Sequence, residues 1–96
     1  NLYALTQEDG KQAVMEMIGS YAWNRRKYFE QQIAFGEGLV GQVWREGDTI
    51  LLTEIPDHYV SIHSGLGEAN PNTILVVPLT FNETIYGVVE LAGFEA

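Results

Sequence analysis

The residues that could bind a metal in this sequence are two histidines and their acidic neighbours. His58 and His63 are five positions apart, close to Asp57 and Glu54. Imidazole and carboxylate groups are common zinc ligands, but this spacing does not place two ligands on one face of a helix. Surface histidines explain the same pattern more simply, so we expect no metal site.

The loop that begins at Ser64 raises two further possibilities, a phosphate cradle and a catalytic serine. Ser64-Gly65-Leu66-Gly67 contains two glycines, but it leads to Pro71 and a strand rather than to a helix, and no Lys or Arg follows it. Ser61 or Ser64 could pair with His63 as nucleophile and base, yet neither serine lies in a nucleophile-elbow pattern. We therefore expect a glycine-shaped loop and no enzymatic activity.

Two carboxylates, Glu16 and Glu90, lie inside apolar segments that read as strands. Such a carboxylate is either solvated at the sheet surface or enclosed in a pocket, where burial would shift its pKa. Glu90, between Val89 and Leu91, is the better pocket candidate of the two.

The amino-acid composition excludes or disfavours several other classes of protein function. The chain has 96 residues, 46% of them hydrophobic, and a formal net charge of −8, which favours one small folded domain and disfavours a nucleic-acid binder. The basic triplet Arg25-Arg26-Lys27 is typical of a solvated turn. The absence of cysteine excludes thiol catalysis, disulfides and thiolate metal sites. No membrane span or signal peptide is evident, so we expect a cytoplasmic location and no membrane contact.

The first half of the chain predicts three extended segments and a helix. The strands are expected at Leu2–Thr6, Gln12–Trp23 and Tyr28–Phe35, although the third also fits a short helix. Between the first two, Gln7–Gly10 reads as a hairpin turn. Gly38–Arg45 has apolar residues at helical spacing and Gly47 as a stop, and Gly41 within it indicates close backbone packing.

The second half predicts a strand and a long hairpin. Thr49–Ile55 should form a strand that ends at Pro56, followed by a turn at Asp57–His63. Ile74–Leu79 and Ile85–Leu91 are apolar at both alternating positions, which is typical of strands covered on both faces. One helix and some loops can cover one face, so we expect helices outside this chain, or a partner chain, to cover the other.

Four segments in this order resemble a GAF domain of the kind found in bacterial sensor histidine kinases and methyl-accepting chemotaxis transducers. They are GEGLVGQV (Gly36–Val43), TILLTEIPDHYV (Thr49–Val60), SGLGEANPNTILVVPL (Ser64–Leu79) and IYGVVELAGF (Ile85–Phe94). The resemblance extends from about Leu2 to Phe94. It implies an α+β fold of the GAF and PAS type, with a central antiparallel sheet of about five or six strands and one short helix with loops over a pocket. The chain, residues 1–96, would be the core of a single GAF domain without its flanking N- and C-terminal helices.

The resemblance also implies a ligand pocket between the sheet and the short helix. The positions that correspond to its lining are Tyr21, Trp23, Val43, Trp44, Tyr59, Ile62, Ser64, Leu66, Leu75, Val77, Val88 and Glu90. Each of these side chains fits a plain core position equally well.

The implied function is a non-catalytic sensor in a signal-transduction protein. Such a module would bind a small metabolite, dimerise, and relay a signal to a kinase or transducer output domain in the parent chain. The family members that attach bilins or reduce methionine sulfoxide require Cys, and the signature of the cyclic-nucleotide binders is missing, so no cofactor is expected. The acidic balance favours a neutral or cationic ligand. The alternative is a structural dimerisation module whose pocket is filled by its own side chains.

Overall fold

The computed structural model describes residues 1–19, 32–55 and 71–93, which form six strands and one helix. The first strands are β1 (Leu2–Thr6), β2 (Val14–Gly19) and β3 (Gln32–Ala34). After α1 (Gly38–Glu46) come β4 (Ile50–Leu52), β5 (Thr73–Phe81) and β6 (Thr84–Gly93). The expected α+β fold is confirmed. The predicted turn at Asp57–His63 and the loop from Ser64 lie outside the described residues.

The strands form one antiparallel sheet in the order β3-β2-β1-β6-β5-β4. β1 and β6 are neighbours at its centre, although they come from opposite ends of the sequence, and Tyr3 faces Val88 in their register. On the other side of β1, Tyr3 faces Met17 of β2. Because directly opposed residues project to the same face of a sheet, these three side chains form one row across its centre.

The buried side chains lie on a single face of the sheet, which we call the helix face. Its strand residues are Tyr3, Met15, Met17, Ile33, Ile74, Val76 and Val88, and α1 adds Leu39, Val40 and Val43. Their spacing of three and four positions on α1 puts them on one side of the helix. Removing these groups from water provides the main drive for the helix to dock on the sheet.

Two glycines shape α1 as the sequence predicts, Gly47 at its C-terminal end and Gly41 within it. Gly47 has φ of 77° in the left-handed region, and its N–H donates to the Val43 carbonyl at 2.7 Å, which is a common helix ending. Gly41 packs against backbone, since a Cβ there would lie 2.7 Å from the Ala34 oxygen and 2.8 Å from the Gly36 carbonyl carbon. The predicted close backbone approach at Gly41 is confirmed.

The hairpin between β5 and β6 is tighter than the predicted connection over Thr80–Thr84. Both strands continue into that segment and leave a two-residue turn, Asn82-Glu83, with φ of 49° and 66°. Positive φ at both positions is the signature of a type I′ turn, which matches the twist of the flanking strands. The register shifts between Leu79 and Thr80, and beyond this irregularity Ile85 packs against the core of the helix face.

The opposite face of the sheet, the outer face, remains apolar and exposed around β4, β5 and β6. Leu51, Leu79 and Leu91 are each at least 43% exposed. Leu51 and Leu91 both pair with Leu75, and Leu79 lies four positions after Leu75 on β5, so all three project to this face. Within the described residues, α1 covers the helix face and leaves the outer face uncovered, as expected for a single short helix.

Candidate functional site

The structure describes six of the twelve predicted pocket residues. They are Val43, Trp44, Leu75, Val77, Val88 and Glu90. The other six, Tyr21, Trp23, Tyr59, Ile62, Ser64 and Leu66, lie outside the described residues, as do His58, His63 and the basic triplet. Within the described residues, the candidate site consists of side chains on the sheet and α1.

The two helix candidates have different surroundings. Val43 is fully buried in the core of the helix face. Trp44 is half-buried, and its ring meets the Phe35 ring edge to face, with centroids 5.0 Å apart and planes at 87°. This is a favourable aromatic geometry, and it holds the Trp44 indole beside the turn that precedes α1.

The four sheet candidates divide between the two faces, and the prediction that they share one face is wrong. Val76 is opposite Glu90, and Val77 is opposite Val89. Since alternate residues of a strand point to opposite faces, Val88 and Glu90 lie on the helix face, whereas Leu75 and Val77 lie on the outer face. Both alternating sets of β5 are apolar, so its sequence pattern does not reveal which set faces α1.

Glu90 is the one charged side chain that is fully buried in the described part of the chain. Its backbone pairs with that of Asn1 through two hydrogen bonds of 2.8 Å, one in each direction. The Asn1 side-chain amide also donates to the Glu90 carboxylate, from Nδ2 to Oε1 at 3.0 Å. The carboxylate lies in an apolar row, with Val76 opposite it on β5 and Val88 two positions along β6.

Tyr3 is a residue of this site that sequence reasoning missed. Its side chain is fully buried, and its hydroxyl makes no hydrogen bond to a described residue. Burial, and then the negative charge of Glu90, raise the pKa of the Tyr3 phenol above its ordinary value. Glu90 is thus the neighbouring group that acts on the phenol, and its carboxylate both carries the charge and can accept from the hydroxyl. The sequence offers one indication of this role, a tyrosine within the predicted strand Leu2–Thr6.

Glu90, Tyr3 and Asn1 form what we call the polar cluster of the helix face. It combines a carboxylate acceptor, a hydroxyl that both donates and accepts, and an amide. In an apolar wall such groups orient a polar ligand, because hydrogen bonds and charges act more strongly away from water. Among residues 1–19, 32–55 and 71–93, no three acidic or histidine side chains are grouped as metal ligands.

The outer face carries a separate, open cleft beside the β1–β2 turn. Its cavity volume is about 120 Å³, and its walls are mainly polar: Thr6, Glu8, Lys11, Gln12, Val14, Glu16 and Gln32. Lys11 and Glu8 pair across 2.9 Å, and both are largely exposed. Glu16, the other carboxylate of interest, therefore lies half-buried at this cleft, on the face opposite Glu90.

Several solved structures resemble this fold, among them the following three. A hypothetical protein from S. aureus has a TM-score of 0.72 and 20% identity, covering 98% of this chain and 81% of that one. Two structures of Staphylococcus aureus NreA, mutated in its nitrate-binding site, also give 0.72 and 20%. They cover 96% and 98% of this chain and 73% and 72% of theirs. A comparison with curated proteins gave no significant match.

Two further findings concern membrane-spanning helices and the protein family. No helix in the described ranges is long and apolar enough to cross a membrane. The family model described as GAF domain matches residues 2–96. This match spans nearly the whole sequence. The antiparallel sheet with one short helix on its helix face is also the architecture that the resemblance implied. The chain therefore belongs to the GAF domain family.

Proposed function

We propose that this chain is the sensory module of a bacterial signalling protein. It binds a small metabolite between the sheet and α1 and performs no catalysis. The observation that carries the proposal is the polar cluster, because Glu90 and Tyr3 place buried polar groups in an otherwise apolar wall. The hydrogen bond from Asn1 to the Glu90 carboxylate offsets part of the cost of burying it, and recognition of a ligand gives these polar groups a further use.

The proposed relay uses the outer face. Exposed leucines such as Leu51 and Leu91 form an apolar surface on the sheet, and a surface of this kind marks a protein contact. β1 and β6 adjoin at the centre of the sheet, so helices that continued from them in a parent protein would start beside this face. We propose that such helices cover it, pair two copies of the protein, and connect to a kinase or transducer output domain in the cytoplasm.

The solved structures suggest nitrate as one ligand to consider, since NreA has a nitrate-binding site. Here the buried Glu90 and the net charge of −8 oppose an anion at the helix face. We therefore favour a neutral or cationic metabolite over nitrate.

A thermal-shift screen of metabolite classes tests the sensory role. A ligand that binds the folded state adds stability as RT ln(1 + [L]/Kd), about 2.7 kcal/mol at a hundredfold excess over Kd. We expect at least one class to raise the melting temperature of the full chain. If no class does so, the structural alternative with a self-filled pocket takes the place of sensing.

A further inference from the structure

The polar cleft of the outer face is separate from both surfaces that the proposed function uses. Its cavity volume is about 120 Å³, and its lining comes from β1, β2, β3 and the β1–β2 turn. The exposed leucines of the outer face lie on β4, β5 and β6, in the other half of the sheet. The polar cluster lies on the opposite face. The cleft is thus a second place where a small molecule could bind.

Strand pairing builds the floor of the cleft. Glu16 is directly opposite Gln32 on β3, and Thr6 of β1 is directly opposite Val14 on β2. Opposed residues project to the same face of a sheet, as do residues two positions apart on one strand. These four side chains therefore stand together on the outer face, and all four line the cavity.

The β1–β2 turn builds the wall of the cleft. The Lys11 N–H donates to the Glu8 carbonyl at 3.0 Å, and the Gln7 side-chain amide donates to the Lys11 carbonyl at 3.3 Å. The Lys11 ammonium also pairs with the Glu8 carboxylate across 2.9 Å. These contacts fix the turn beside the strands, and the ion pair leaves the wall without a net charge.

Glu16 carries the charge of the cleft that is not balanced within it. Lys11 and Glu8 neutralise one another, and the other lining side chains are uncharged: Thr6, Gln12, Val14 and Gln32. Glu16 is half-buried, and it forms no ion pair with any residue of the described ranges. An anion in the cleft would be repelled by this carboxylate, whereas a cation would complement it.

The neighbours of Glu16 favour a cation that donates hydrogen bonds. The carboxylate only accepts, and the side-chain oxygens of Gln32 and Thr6 can accept as well. A primary ammonium group has three N–H donors for such acceptors, and its hydrogen bond to a carboxylate is charge-assisted. Val14 offers apolar contact to a short alkyl part. We propose that the cleft binds the primary ammonium group of a small metabolite, with Glu16 as its counter-charge.

Ethylammonium is the probe, compared at constant ionic strength with tetramethylammonium and with ethanol. Tetramethylammonium has the same charge without an N–H donor, and ethanol has a donor without the charge. NMR of the ¹⁵N-labelled full chain follows the side-chain amides of Gln12 and Gln32, which line the cleft. We expect ethylammonium to shift these signals to saturation, and the two reference compounds to bind at least about tenfold more weakly.

L-Alanine distinguishes an amino acid from a simple amine as the source of the ammonium group. Its carboxylate can accept from the Lys11 ammonium, which has donors beyond the one directed at Glu8. Tighter binding of L-alanine than of ethylammonium, with the difference lost in Lys11→Gln, would identify an amino acid. Equal or weaker binding of L-alanine would identify a simple amine in the same cleft.

Variants assign the effect to residues. Glu16→Gln keeps the shape and removes the charge, and it should weaken ethylammonium binding by about tenfold or more. Gln32→Ala should weaken it by about two- to tenfold. Glu46→Gln is the matched control, because it removes an exposed carboxylate from α1 and should leave binding unchanged. If Glu16→Gln does not fold, Gln32→Ala and the titration of the unaltered protein with the three probes decide the result.

The inference would be overturned in three ways. Equal shifts from tetramethylammonium would indicate general attraction of cations to an acidic protein, and equal shifts from ethanol would remove the role of charge. Ethylammonium binding that persists in Glu16→Gln would place the cation elsewhere. The sensory role on the helix face would stand in each case if a metabolite stabilises the protein while the Gln12 and Gln32 signals stay in place.

Discussion

Tyr3 and Glu90 lie side by side on the helix face, on the two central strands of the sheet, and both side chains are fully buried. Tyr3 is directly opposite Val88, so Glu90 is its diagonal neighbour on β6. Burial of the phenol, and then the Glu90 carboxylate beside it, raise the pKa of Tyr3 above its ordinary value. This pair makes the stability of the domain sensitive to alkaline pH.

Tyr3→Phe should remove part of the alkaline sensitivity. The pKa of Tyr3 is raised in the folded protein above its ordinary value of 10.0, so above about pH 10 the unfolded chain releases a proton that the folded chain retains. The contribution of Tyr3 is thus complete below pH 10 and is lost as pH rises towards the folded pKa. Urea unfolding at pH 7 and at about pH 11 should show a smaller loss in Tyr3→Phe than in the unaltered protein.

The exposed Tyr86 provides the control for this experiment. Its side chain is 54% exposed, so Tyr86→Phe should leave the alkaline loss as it is in the unaltered protein. An alkaline loss that is identical in all three proteins would contradict the role assigned to Tyr3.

Gly41→Ala should destabilise the domain although alanine is the better helix former. A Cβ at Gly41 would lie 2.7 Å from the Ala34 oxygen, and backbone cannot move away as a flexible side chain would. Overpacking of this kind costs about 1–3 kcal/mol, against a gain of about 1 kcal/mol from helix propensity. We expect a net loss in the free energy of unfolding, measured by urea denaturation. Gln42→Ala, at the next position of α1, should change it by less than about 0.5 kcal/mol.

α1 could be predicted from sequence because its signals are local. The spacing of Leu39, Val40 and Val43 indicates one apolar face, and Gly47 can adopt the left-handed conformation that ends the helix. The β5–β6 hairpin is predictable for the same reason, although the sequence predicts a broader connection than the two-residue turn of the structure. Glu83 adopts positive φ without being Gly or Asn, so the usual type I′ residues are only half present.

The helix face could not be predicted fully, because pairing between distant strands determines it. Both alternating sets of β5 are apolar, so the sequence alone predicts Leu75 and Val77 on the pocket side, and the register with β6 puts them on the outer face. The sequence does not predict Tyr3 as a site residue, because its proximity to Glu90 depends on the pairing of β1 with β6, which comes from the far end of the sequence. Glu90 can be identified as a candidate site residue without this information, because a carboxylate between Val89 and Leu91 is unusual in an apolar strand.

Glu83→Gly should stabilise the domain. Glu83 has φ of 66° at the second central position of the turn, where a side chain is strained and Gly is not. The strain relieved, about 1–2 kcal/mol, exceeds the entropy that glycine adds to the unfolded chain, about 0.4–1 kcal/mol, so the urea midpoint should rise. Glu83→Ala removes the carboxylate but keeps a Cβ, and it should give no increase. A matching gain in Glu83→Ala would point to charge rather than backbone strain.

The outer face should tolerate polar substitution within this chain. Leu91 is 51% exposed, so Leu91→Gln should alter the free energy of unfolding by less than about 0.5 kcal/mol. Val76→Ala on the helix face is the contrast, because Val76 is fully buried, and we expect it to cost about 1–3 kcal/mol through lost burial and a cavity. In a parent protein with helices on the outer face, Leu91→Gln should instead lower the dimer fraction in sedimentation experiments. An unchanged dimer fraction there would show that the relay does not use this face.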